Sequence, residues 1–433
     1  MTNVRQAHWI AHIRRAGSLG VVLAAVLGGT RAANAAADAQ LMAAVKACEP
    51  DARALLEQAV AIDSGTGDAE GLNQLGALLT RELLHSGFTK VDAVPAEPPA
   101  VGNNLVATVE GTGRGKILLI AHMDTVFAHG TVAQRPYRVV DEHAYGPGAG
   151  DDKQGSVTAI CAMRALKAIG FRDFARITLI VNSNEETGSF GTRKLFRENA
   201  QASDVAINLE RGVPPDGVLV SRKGAAVVTL EITGRAAHSG LEPEKGRNAA
   251  LEAAHQALEL GSLADPKLQT TVNVTVLQAG DKINVIPDHA IVKADVRAYT
   301  AEEFERVERQ AKELAMHTTV PDVKLAVTME RTFPPWPHAS STDALVERAR
   351  AVYAEIGGNL EAVSVGSSAD VALAAETGTP SIDGFGILGG GAHGPDDHAD
   401  LRSIVPRVYL LARFVMDLGR NPPARAVAVA RPN

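Results

Sequence analysis

Apolar and polar positions along this chain repeat with two different periods. Residues 116–121 (KILLIA) and 176–183 (RITLIVNS) are short, nearly continuous apolar runs, the pattern of strands buried on both faces. Residues 205–209 read the same way. Over 155–170, Val157, Ile160, Met163, Leu166 and Ile169 recur three apart on one helical face, and the run closes on a glycine. Residues 51–88 are helical, with a break at 63–68 (DSGTGD). Strands alternating with helices predict a mainly parallel sheet covered on both faces.

The middle of the chain has another order. Strand patterns at 225–233, 270–277, 290–296 and 323–329 are interleaved with helical ones at 248–263 and 302–317. Strand, helix, strand, strand, helix, strand is an α+β sandwich order. After it the first pattern returns and ends in a helix at 404–418. The predicted fold is therefore an α/β catalytic domain over 36–218 and 332–421 with an α+β domain inserted at 219–331. A leader over 1–35 and a Pro/Ala-rich tail over 422–433 flank it.

The leader is read from charge and hydropathy. Residues 1–35 contain Arg5, Arg14, Arg15 and Arg31 and no acid, then a short apolar stretch and Ala33-Asn34-Ala35. A basic start, an apolar middle and a small-residue end make a secretory signal peptide. Arg14-Arg15 leaves a twin-arginine signal open beside the general route. The whole chain carries −7, and removal of these four arginines makes it −11. Such an acidic chain is a poor nucleic-acid binder. No other segment is long and apolar enough to span a bilayer. The mature protein is thus expected to be periplasmic or secreted, without a membrane span. Two cysteines, Cys48 and Cys161, exclude a disulfide scaffold and a Cys-based zinc site. Cys161 falls on the apolar side of a helix and reads as a buried thiol. A bridge to Cys48 is open to it in an oxidising compartment.

The candidate chemistry sits where the apolar strands end. The 116–121 run leads into His122-Met123-Asp124, whose first and third side chains share one side of a strand. A glycine-rich stretch, 146–150, delivers Asp151 and Asp152 just before a helix. Asn184-Glu185-Glu186 follows the 176–183 strand, and two adjacent acids there repel unless one binds a cation and one holds a proton. Glu210 follows the 205–209 strand, and His393 lies in a second glycine-rich loop. Ligands of open α/β sheets bind at the carboxyl ends of the strands. Two imidazoles with three carboxylates and a spare acid suit two hydrolytic metal ions ~3.5–4 Å apart sharing a carboxylate. Mixed His and oxygen ligation favours Zn²⁺, and Mn²⁺ or Co²⁺ are compatible with it.

The order His-x-Asp, Gly-rich-Asp-Asp-Lys, Glu-Glu, Glu, His resembles the M20 metallopeptidases, within them the glutamate carboxypeptidase (carboxypeptidase G2) type. The resemblance implies one ion on His122, Asp151 and Glu210 and a second on Asp151, Glu186 and His393. It implies Asp124 behind His122, Glu185 as general base and a cis Asp151–Asp152 peptide. Ala237-His238-Ser239-Gly240 is similar to the family's A-H-x-G, whose His reaches an active site, often the other subunit's. The stretch 280–287 (GDKINVIP) is similar to the segment whose Asn, here Asn284, contacts substrate. Asp295-Val296-Arg297 is similar to a D-x-R strand whose Arg binds a substrate carboxylate, and Arg331 is a further candidate. The inserted domain would then be a dimerisation domain, and the protein a homodimer. Ser364–Asp370, Gln154, Asp397 and His398 depart from the family's usual residues.

The implied reaction is hydrolysis of the amide before a C-terminal amino acid, glutamate at the family level, in a small peptide or an N-acyl amino acid. An N-acyl-amino-acid deacylase would use the same metal chemistry with another pocket. An exported binding protein that had lost catalysis would lack Glu185 or a ligand, and all are present.

Overall fold

The computed structural model describes residues 37–424. The predicted leader and the last residues of the tail lie outside the described residues.

The strand order of the largest sheet is Lys90–Pro95, Asn103–Glu110, Arg176–Asn182, Lys116–His122, Val205–Asn208, Ser381–Ile382. The three pairings from Arg176–Asn182 to Ser381–Ile382 are parallel, and the two at the other edge are antiparallel. The continuous apolar run of the Lys116 strand is explained by its surroundings. Ile117, Leu119 and Ala121 enter one core, with the helices Ala39–Val60, Lys153–Ala168 and Ile404–Arg420. Leu118 and Ile120 enter a second core on the opposite face, with Phe196 and Leu373. A strand buried on both faces needs no polar alternation, and each such Ile or Leu contributes roughly 1.5–3 kcal/mol of burial.

Cys48 and Cys161 are not free thiols. They form a disulfide between the Ala39–Val60 and Lys153–Ala168 helices, with Cα atoms 5.9 Å apart. The two helices pack side by side and bring together residues 113 apart in sequence. That separation is why helical periodicity alone did not pair them.

The second sheet is four-stranded and antiparallel throughout: Thr271–Ala279, His289–Ala298, Gly224–Thr233, Lys324–Phe333. Here burial has period two. Ala226, Val228, Leu230 and Ile232 are buried with Val292, Ala294 and Val296, beneath the helices Ala249–Gly261 and Ala301–Leu314. The fold is thus an α/β domain interrupted by an α+β sandwich. Between the sheets, Gly217–Arg222 pairs in parallel with Glu361–Val365, a pairing that the strand pattern did not reveal. Arg222 and Trp336 exchange backbone hydrogen bonds where the chain passes into and out of the second sheet. Among the described residues, no helix is long and apolar enough to cross a membrane.

Candidate metal centre

His122 is the last residue of its strand, fixed by the ladder to Asn182 on the neighbouring strand. Its ring is buried. Nδ1 lies 3.0 Å from the Asp124 carbonyl oxygen and 3.5 Å from the Asp124 carboxylate. An Nδ1–H donating to the carbonyl leaves the Nε2 lone pair facing outward. There Nε2 meets Asp151 Oδ1 at 3.2 Å and Glu210 Oε1 at 3.5 Å. Asp151 turns its other oxygen, Oδ2, to His393 Nε2 at 3.5 Å. His393 Nε2 is in turn 3.1 Å from Glu186 Oε2. The five side chains run as a chain, Glu210, His122, Asp151, His393, Glu186, with Asp151 in the middle offering one oxygen to each imidazole.

The two loops that complete the chain are shaped for it. The Asp151–Asp152 peptide is cis. Gly150 passes so close to its neighbours that a Cβ would lie 2.5 Å from the His398 carbonyl oxygen. Asp397 is buried, and its carboxylate accepts from the Gly148 and Gly150 N–H groups at 2.7 and 3.0 Å. Asp152 stands at the N-cap of the Lys153–Ala168 helix but makes no cap bond. Its carboxylate accepts instead from the His122 N–H at 3.2 Å and from Gln154 Nε2 at 2.6 Å. His393 has φ 64°, a left-handed conformation that a bulky residue adopts only where its surroundings impose it.

Asp124 organises the third loop. Its Oδ1 accepts from the Glu185 N–H at 3.0 Å, and its Oδ2 accepts from the Glu186 N–H at 3.2 Å and the Thr66 hydroxyl at 2.6 Å. The 63–68 break in the helical pattern supplies that hydroxyl. Glu185 is buried, and desolvation pushes its carboxyl well above the usual range. Burial raises Glu186 as well, against its bond to His393. Burial opposes charge on His122, yet Asp124, Asp151 and Glu210 outweigh it and raise the imidazole well above its ordinary value.

That surplus of negative charge is what a divalent cation would neutralise. Ligand atoms of His122, Asp151 and Glu186 all lie within 4.8 Å of one another, buried or nearly so. Imidazole Nε2 atoms and carboxylate oxygens converge here, and although Arg211 and Arg222 each touch one of the carboxylates, the acids outnumber them, so the donor set fits a divalent metal.

The centre opens into a cleft of about 600 Å³ between the two sheets. Asp151, Glu185, Glu186, Glu210 and His393 line it together with Arg297, Ser367 and Ser368. Arg297 Nε pairs with Asp295 at 2.9 Å, and Nη1 donates to Ser368 at 3.1 Å. Asp295 and Arg297, two apart on one strand face, are thus paired at the cleft. Three other candidates lie elsewhere. His238 and Asn284 are exposed on a small ribbon, Ala237–His238 with Val285–Ile286, and neither lines this cleft. Arg331 is directed to the helix side of its sheet, 3.9 Å from Glu308 and over the Phe304 ring. Its neighbours Thr332 and Phe333 line the cleft instead.

Two basic residues escaped the sequence reading. Arg211 Nη1 lies 3.2 Å from Asp151 Oδ2. Arg222 is buried, with Nε 2.6 Å from Asp383, Nη1 2.7 Å from Ser367 and Nη2 3.6 Å from Glu210. Its signal was a charged residue at the end of the apolar run VLVS, a strand end like the others.

Comparison with known proteins places this geometry. The profile of peptidase family M20/M25/M40 matches residues 118–417. Carboxypeptidase G2 of a Pseudomonas species is 36% identical over 94% of this chain and 98% of its own length. Indole-3-acetyl-aspartic acid hydrolase of Enterobacter agglomerans is 34% identical over 40% of this chain and 43% of its own. A crystal structure of a tripeptidase from Staphylococcus aureus superposes with TM-score 0.71 at 22% identity, covering 86% of this chain and 99% of that one, a likeness of fold.

Proposed function

The chain belongs to peptidase family M20/M25/M40 and is a hydrolase, and from that premise we propose that it is an exported metallo-carboxypeptidase. It cleaves the amide bond before a C-terminal amino acid, glutamate in the first instance. The observation that supports this reading most is Asp151, buried, with one oxygen toward His122 and the other toward His393. Such a carboxylate would serve two ions at once. His122, Asp151 and Glu210 would hold one, and Asp151, Glu186 and His393 the other, with zinc the first choice and manganese or cobalt compatible. When bound, the ions supply Lewis acidity, polarising a carbonyl and acidifying water.

The residues do the rest. Glu185, beside the centre and lifted by burial, accepts a proton from water at a carboxylate oxygen and returns it to the leaving amine. Asp124 fixes the backbone N–H groups of Glu185 and Glu186 and so keeps the base in place. Arg297, held at Nε by Asp295 and at Nη1 by Ser368, offers Nη2 to the free carboxylate of the substrate. His238 and Asn284 are exposed in one chain, and they would reach the cleft of a second copy in a homodimer, His238 holding the oxyanion. Export is supported by the 1–35 sequence and by the Cys48–Cys161 disulfide, a bond of oxidising compartments. The indole-3-acetyl-aspartic acid hydrolase likeness keeps the N-acyl-amino-acid deacylase reading beside this one.

The test is a hydrolysis screen with zinc-loaded protein across N-acyl amino acids and dipeptides, varying the C-terminal residue. Carboxypeptidase action requires the free carboxylate in every substrate cleaved. Elemental analysis after chelation and reloading should approach about two ions per chain. A maximum of one would end the shared role of Asp151.

A further inference from the structure

Asp370 is fully buried, and nothing in the reaction above uses it. It stands at the start of the short helix Val371–Ala375 and makes no cap bond there. Its carboxyl points the other way, at the turn that carries Glu185 and Glu186. Asn182 Nδ2 donates to Asp370 Oδ2 at 2.7 Å, and the Ser189 hydroxyl donates to Asp370 Oδ1. Asn182 is the last residue of the strand before that turn, and Ser189 is the first after it. Asn182 Nδ2 also reaches Ser189 Oγ at 2.8 Å, and Asn182 Oδ1 accepts from the Asn184 N–H at 3.1 Å. Inside the bracket, the Ser189 N–H donates to the Asn184 carbonyl at 3.0 Å and Gly188 N–H to the Glu185 carbonyl at 2.7 Å. Ser189 itself has φ 54°, a left-handed conformation that these bonds hold.

We propose that Asp370 is the positioning residue of the Glu185–Glu186 turn, pinning both of its ends through Asn182 and Ser189. Asp124 holds the middle of the turn by two N–H groups; Asp370 closes its base. The same loop carries Ser367 and Ser368, which accept from Arg222 and Arg297 in the cleft. One stretch of chain, 367–370, therefore ties the carboxylate-binding end of the cleft to the base and to one metal ligand. Side chains that orient metal ligands from behind typically matter about 10–100-fold in affinity or activity.

The proposal rests on the roles given to Glu185 and Glu186, and the experiment separates the two. Asp370→Asn keeps the volume but leaves one acceptor oxygen where two served, so either Asn182 Nδ2 or the Ser189 hydroxyl now faces an amide donor. It should lower kcat about 10–100-fold and weaken zinc binding, read by chelator competition, by a similar factor, with KM changed little. Asn182→Asp should do the same by setting two carboxyl groups face to face. The double variant Asn182→Asp/Asp370→Asn exchanges donor and acceptor and restores the pairing, so both kcat and zinc affinity should return to near wild type. If Asp370→Asn does not fold, Ser189→Ala removes one of the two bonds and should show a smaller loss of the same kind. A single variant equal to wild type, or a double no better than the singles, overturns the proposal. So does a fall in thermal stability with zinc affinity and kcat of the folded protein intact. Wild-type protein that binds zinc but cleaves no carboxyl-terminal amide removes the proposed reaction and leaves the zinc readout to decide the role of Asp370. Wild-type protein that binds no zinc overturns both.

Discussion

At the carboxyl ends of the six-stranded sheet, His122, Asp151 and Glu210 are buried, each within 3.5 Å of another member of the cluster. On the four-stranded side, His238 is exposed, and its ring Nδ1 accepts from the N–H groups of Gly240 and Leu241, two and three residues on. The first set needs nothing from outside the chain to be assembled. The second set has a conformation but no target within reach. A parallel sheet buried on both faces leaves its strand ends no freedom, so side chains there converge. A half-exposed antiparallel sheet with a free edge at Thr271–Ala279 presents groups outward, where a second copy can meet them.

The sharpest way to break this contrast is at Glu185. Glu185→Gln removes the proposed base and leaves the shape, and the rate should fall ~10²–10⁴-fold. Zinc content and melting temperature should stay at wild-type values. A variant within a few-fold of wild type would mean that the buried set does not contain the base.

Arg297 tests another part of the cleft lining. If its Nη2 binds the substrate carboxylate, Arg297→Ala should cut kcat/KM for a free-acid substrate by roughly 30- to several-thousand-fold, the loss of a buried charged partner. The matching C-terminal amide should lose far less. Equal losses on acid and amide would reduce Arg297 to the structural partner of Asp295, which its 2.9 Å contact already makes it.

How much was legible beforehand follows the same division. The strand-end residues could be found because each follows an apolar run whose length marks a buried strand. His122, Glu185 and Glu210 all have that signal, and so, unnoticed, did Arg222. The Cys48–Cys161 bridge was legible only as an option that export left open, behind the buried-thiol reading, because it depends on how two helices pack 113 residues apart. Asp397 and Asp370 were legible only as departures from a familiar pattern. Their bonds to Gly148, Gly150, Asn182 and Ser189 come from tertiary folding alone. Arg331 illustrates the opposite error. It is one residue from the cleft-lining Thr332, but its guanidinium lies over the Phe304 ring on the helix face.

The exposed set is tested by mixing chains. Glu185→Gln and His238→Ala protomers should each be inactive alone. If His238 serves the partner's cleft, a mixed dimer has one intact site, and random re-association should restore about a quarter of wild-type activity. No recovery, with dimers confirmed by light scattering, would place His238 in its own chain's site, and a His238→Ala protomer active alone would place it outside catalysis.

The disulfide bears on stability alone. It closes a loop of just over a hundred residues between two core helices, so replacing both cysteines by alanine should cost about 2–5 kcal/mol. Chemical denaturation of the two forms measures this directly. The kcat of the folded variant should be unchanged, since neither sulfur lines the cleft. A large change in kcat would show that the Lys153–Ala168 helix, which begins beside Asp151, depends on the bridge for its placement.

The smallest effect is expected at Arg331. Its side chain is 42% exposed, its nearest acid is Glu308 at 3.9 Å, and its guanidinium lies 5.8 Å from the Phe304 ring. An exposed pair of that length contributes ~1 kcal/mol or less. Arg331→Ala should therefore shift stability slightly and leave kcat/KM within about twofold of wild type for acid and amide substrates alike. The reason is geometric: Thr332 and Phe333 occupy the cleft side of the strand end, and a register shift in the ladder between Ala225 and Ala226 falls beside them. For Arg331 to reach the substrate, its side chain would have to leave the helix face and cross the sheet. A tenfold loss confined to free-acid substrates would show that it does so when substrate binds, and would bring a second arginine to the carboxylate beside Arg297.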